Sequence, residues 1–158
     1  MTTPPAPPPT CAPPLRDVRK PELVLPPKAA DCHAHVFGPI AQYPYAANRL
    51  YTPPPVCLDD YLAMHRTVGF ERGVLVQTGL YGNDNRFIVD AIAAHPGRLR
   101  GIALIGEDIT DAELQRLAKS GVRGFRVFFR CDEVRIAQEL NEGVARALGA
   151  QGGFLLGG

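Results

Sequence analysis

Apolar residues along the chain change their spacing in a regular order. Asp31-Cys32-His33-Ala34-His35-Val36-Phe37 alternates as a short strand does and stops at Gly38-Pro39. A loop rich in Tyr and Pro follows, through Pro53-Pro54-Pro55. Leu58 to Val68 then has helical spacing, with Leu58, Tyr61, Leu62 and His65 on one stripe. Gly73 to Gln77 is a compact apolar run suited to a strand buried on both faces. Asn85 to His95 returns to helical spacing through Phe87, Ile88, Ala91 and Ile92. Asn83 or Asp84 can cap its start, and Pro96-Gly97 ends it. Gly101 to Ile105 predicts a third strand. Thr110 followed by Glu113 has the spacing of a capping box, opening a helix with Leu114, Leu117 and Ala118 inward and Gly121 at its close. Gly124 to Phe129 predicts a fourth strand, Glu133 to Leu148 a further helix, and Gly153 to Leu156 the start of a fifth strand.

Strands alternating with helices imply parallel pairing through right-handed crossovers. An open doubly wound sheet and a (β/α)8 barrel both satisfy this pattern. No glycine-rich phosphate loop follows any strand, so the nucleotide-binding forms of the open sheet lose support. A full barrel takes about 250 residues, and a chain of 158 has material for roughly half of one. Ahead of the first strand, residues 1–27 hold ten of the sixteen prolines. Such a stretch forms neither ladder nor helix, which predicts a disordered, proline-rich leader at 1–27 and one folded domain over 28–158.

Composition narrows the partners. A net charge of +1 creates no long-range field toward nucleic acid or an anionic membrane. No basic run is interleaved with aromatics, and no apolar run is long enough to span a bilayer. Cys11, Cys32, Cys57 and Cys131 show no CxxC spacing, and the N-terminus does not read as a secretory signal. Reduced thiols and a cytoplasmic protein are the expectation.

The sharpest chemical feature is the His33, His35 pair. Residues two apart on a strand share a face, so Asp31, His33 and His35 are expected to project together. Two imidazoles on one interior face pack poorly unless each finds a partner, yet suit one ion or one carboxylate. Arg126 lies on a strand between Phe125 and Val127, where a guanidinium calls for a bidentate anion or a neighbouring acid. Arg123 reads as a surface group, His65 as a partly exposed helix residue, His95 as a helix C-terminal residue and Cys32 as a small core residue.

Asp31-Cys32-His33-Ala34-His35 followed by Val36-Phe37-Gly38-Pro39 resembles the opening of the amidohydrolase superfamily. Arg49-Leu50-Tyr51-Thr52-Pro53, Gly73 to Gln77, Tyr81-Gly82-Asn83-Asp84-Asn85 and Gly121 to Arg126 resemble its 2-pyrone-4,6-dicarboxylate lactonase branch. The likeness covers Ala30 to Val127 and implies an α/β fold, a partial (β/α)8 TIM barrel of four to five βα units. It implies a hydrolase that opens a lactone or cyclic ester of a dicarboxylic acid with activated water, at the C-terminal ends of the strands. By resemblance His33 and His35 are the catalytic pair, Tyr51 a substrate contact and Arg126 a carboxylate clamp. His33 and His35 would also ligate a divalent metal such as zinc, as in most of the superfamily; the lactonase branch implies none. Gly79 stands where the branch often has a small hydroxyl residue, and Arg130 lies in a stretch that departs from the pattern. The branch takes its general base from later strands, so weak or absent activity is expected of this chain alone. Two alternatives remain: a non-catalytic half-barrel for binding or assembly, and a metal-dependent decarboxylase on the same scaffold. The expected partners are a small carboxylate or lactone and, through an open barrel edge, a second copy.

Overall fold

The structure is a computed structural model and describes residues 8–106, 108–127 and, as backbone, 154–157. Strand β1 is Ala30–Ala34, followed by helix α1 (Leu58–Val68), β2 (Arg72–Val76), α2 (Arg86–Ala94), β3 (Leu99–Leu104), α3 (Asp111–Lys119), β4 (Val122–Val127) and β5 (Phe154–Gly157). The predicted helix over Glu133 to Leu148, and Arg130 and Cys131, lie outside the described residues.

The five strands form one sheet in the order β1-β2-β3-β4-β5, and every adjacent pair is parallel. This order decides between the two architectures left open above. A doubly wound sheet reverses direction after its first strands and leaves β1 internal. Here each strand adds on the same side as the last, as in a barrel wall. The fold is a partial α/β barrel.

Local chemistry explains the element ends. Asp59 and Asp60 occupy the first turn of α1, and His65 and Arg66 the last, each sign matching the helix dipole. Gly69, at φ +101°, ends α1 in the left-handed conformation that glycine adopts without strain. Thr110 caps α3 as expected, its side chain accepting from the Glu113 amide at 3.2 Å. At α2 the Asp84 carboxylate accepts from the Arg86 amide at 3.1 Å. The side chain of Asn85 takes a different task. It donates to Leu104 O at 2.8 Å and accepts from Leu104 N at 2.9 Å, pairing with β3 as a neighbouring strand would.

Leu75, Leu99, Ala103, Leu117 and Phe125 pack the sheet against the helices, and Leu99 and Leu117 are wholly enclosed. Cys32 departs from expectation. Its thiol is exposed rather than in the core, because β1 has a described neighbour on one side only. Residues 8–27 run without a helix. Thr10 bridges to Thr52, and Arg16 pairs with Asp60 at 3.4 Å.

Candidate active site

In a parallel sheet all C-terminal strand ends lie at one end, and His35, Gln77 and Arg126 meet there. The His35 ring donates from Nδ1 to the carbonyl of Val76 at 2.8 Å, since a carbonyl can only accept. That bond holds the neutral ring in the tautomer with Nε2 unprotonated. Burial of the ring against the end of β2 is the main force lowering the His35 pKa. The Val76 bond opposes this, while His33 and Arg126 lower the value further. His33 stands beside His35, ring centroids 5.0 Å apart and planes at 75°. Both histidines are exposed as whole residues.

Arg126, half-buried near the end of β4, directs Nη1 toward Gln77 O at 3.5 Å. Gln77 is itself buried and donates to Asp84 O at 2.6 Å, which ties the end of β2 to the loop before α2. Tyr51 packs half-buried against the core edge. Its pKa is raised, chiefly by burial, so the hydroxyl remains a donor at neutral pH; Arg126 is near enough to act in the opposite direction. Arg49 holds the same loop in place through a 3.1 Å bond to the Thr52 hydroxyl. A cavity of about 290 Å³ adjoins His35, between α1 and Pro14 to Val18. His35 lines it; His33, Tyr51 and Arg126 do not.

Two expectations are corrected here. Asp31 does not project with the histidines. The pairing of β1 with β2 slips between Asp31 and Ala34, and the carboxylate turns toward α1. There Oδ2 lies 3.4 Å from His65 Nε2, and Oδ1 accepts from the His33 amide at 3.2 Å. His65, expected to be partly exposed, is 0% exposed, wedged between Tyr61 and Phe70. Thr78 is buried and uses its hydroxyl to cap the turn at Leu80. Asn85 and Gln77, which brace the strand ends, carry no sequence motif beyond their place at element boundaries.

The fit to a divalent metal is partial. The Val76 bond presents Nε2 of His35 as a ligand should be presented. Among the described residues, however, no group of three His, Cys, Asp or Glu could hold an ion. The two imidazoles fall short of the three protein ligands of a catalytic zinc site.

A parallel βα wall with a histidine pair at the C-terminal end of its first strand has the layout of a partial α/β barrel with a candidate site at that end. The amidohydrolase family model matches residues 30–152, and the chain belongs to that family. It is 44% identical over 110 residues to a 2-pyrone-4,6-dicarboxylate hydrolase of Comamonas testosteroni, covering 70% of this chain and 36% of that protein. It is 37% identical over 121 residues to a 4-sulfomuconolactone hydrolase of Hydrogenophaga intermedia, covering 77% and 40%. A crystal structure of a probable 2-pyrone-4,6-dicarboxylic acid hydrolase from Acinetobacter baumannii, with citric acid bound, superposes with a TM-score of 0.66 at 27% identity. That match covers 76% of this chain and 46% of the other. The chain thus spans less than half the length of these relatives.

Proposed function

We propose that this chain carries the substrate-binding, carbonyl-polarising part of a hydrolase acting on lactones of dicarboxylic acids. The observation that carries the reading is His35, held neutral against Val76 beside His33 and within the field of Arg126. In this reading Arg126 clamps a substrate carboxylate, as guanidinium groups do in bidentate geometry. Tyr51 donates to the same substrate. The histidine pair orients and polarises the ring carbonyl. Water then attacks the carbonyl carbon, the ring C–O bond breaks, and the products are a carboxylate and the freed hydroxyl. The proton lost by water needs a base within about 2.6–3.2 Å. Asp31 is turned away from the pair, so it does not serve as that base. The citric acid in the Acinetobacter structure and the lactone substrates named for two relatives support a carboxylate-bearing ligand.

A second reading, a half-barrel that binds its ligand without rapid turnover, rests on the turn of the Asp31 carboxylate away from the histidine pair and toward His65. Both readings meet one test. The full chain is incubated with 2-pyrone-4,6-dicarboxylate while ring absorbance is followed. The expected result is turnover far below the 1–10³ s⁻¹ of ordinary enzymes, lowered further in His35→Gln. Turnover in that ordinary range would show that a base is in place after all. Activity unchanged in His35→Gln would remove the histidine from the site.

A further inference from the structure

We infer that the opposite end of the sheet holds a second binding site, for a small ligand bearing two or more adjacent phosphate groups. Lys28 precedes β1, Arg66 lies in the last turn of α1, Arg72 opens β2 and Arg98 precedes β3. Because the strands are parallel, all four cations gather at the N-terminal strand ends, away from His35 and Arg126. They line an open cleft of about 590 Å³ in which Glu71 is the one carboxylate. None of the four forms an ion pair with another described residue.

Exposed cations usually face water and nothing else. Three features set this group apart. First, backbone bonds stitch its segments together: Ala29 O accepts from the amides of Glu71 at 3.1 Å and Arg72 at 3.2 Å, and Gly73 N donates to Arg98 O at 3.0 Å. The backbone segments that carry Lys28, Arg72 and Arg98 are therefore joined to one another rather than placed on separate loops. Second, Lys28 sits at φ +66°, a left-handed conformation disfavoured for a residue with a side chain. A turn closed by Ala29 N to Pro26 O at 3.1 Å holds it there. Third, Arg98 Nε is enclosed without a hydrogen-bond partner. Like charges gathered on a rigid frame repel one another until an anion intervenes. Guanidinium groups match phosphate oxygens in bidentate geometry, and four cations facing one carboxylate outnumber the charge of a single phosphate group.

The test is calorimetric titration of the full chain with inorganic tripolyphosphate and pyrophosphate, with citrate as the carboxylate comparison. One saturable site is expected for tripolyphosphate, weakened at least tenfold in the Arg66→Ala, Arg72→Ala double variant. Both side chains are exposed, so the variant should fold; an unchanged circular dichroism spectrum checks this. Affinity should be unchanged in Arg126→Ala and in the Arg19→Ala, Lys20→Ala variant, which removes equal charge elsewhere. No saturable binding, equal binding to the Arg66, Arg72 variant, or equal loss in the Arg19, Lys20 variant would overturn the site. Citrate binding there as tightly as tripolyphosphate would overturn the phosphate assignment.

Discussion

His35 and His65 are both histidines with lowered pKa values, and burial is the first cause in each. They differ in what the burial serves. His35 has one ring nitrogen committed to Val76 and the other left over for chemistry. His65 is sealed between β1 and α1, with Asp31 partly offsetting the cost of its enclosure. On unfolding, each regains an ordinary value of about 6.5. A folded pKa below the unfolded one means that the unfolded chain takes up protons first as pH falls. Stability should therefore be fully present above about pH 6.5 and decline as pH drops through the folded values. Thermal midpoints measured from about pH 8 to pH 5 should be flat, then fall, and His65→Gln should flatten that fall. A rising midpoint on acidification would contradict it. Gly73 belongs to the same contact: a Cβ there would strike the Tyr61 hydroxyl and stand 2.9 Å from His65 Cε1. Gly73→Ala should cost about 1–3 kcal/mol in chemical denaturation, the usual price of overpacking.

Elements were legible where periodicity carried them. The stripe Phe87, Ile88, Ala91 and Ile92 is buried as its spacing requires, and Leu114 and Leu117 are likewise inward. The Thr110 cap was legible too, because a capping box is a local device. What depended on one element meeting another was not. Strict alternation along β1 put Asp31 with the histidines, but register is a property of the strand pair, and the slip against β2 frees Asp31 to meet His65. The stripe through Tyr61 and Leu62 pointed His65 inward, while its polarity argued outward; the carboxylate across the interface decided the matter. Asn85 read as a helix start, whereas its amide extends the β3 ladder. Asn85→Ala leaves Leu104 N and O without that partner, and an unsatisfied buried group costs about 1–3 kcal/mol. Thr110→Ala, the loss of an exposed cap, should cost about 1 kcal/mol. Urea midpoints for the two variants should fall in that order.

At the scale of the molecule, β1 and β5 each have one described neighbour, so the described sheet has two edges where a closed barrel has none. No helix among the described residues is long and apolar enough to cross a membrane. The four site residues named by resemblance, His33, His35, Tyr51 and Arg126, come from the first strand, the following loop and the fourth strand. Their proposed common task is to hold a dicarboxylate lactone, and that is the claim on which the functional account rests. Its most direct test is the equilibrium affinity of the full chain for 2-pyrone-4,6-dicarboxylate, measured by calorimetry beside Arg126→Ala. A charged hydrogen-bonded contact contributes about 1.5–3 kcal/mol, and each 1.4 kcal/mol is about tenfold in affinity. The account predicts saturable binding that weakens at least tenfold in the variant, with the fold unchanged by circular dichroism. No binding to the parent chain, or equal binding to both, would contradict it.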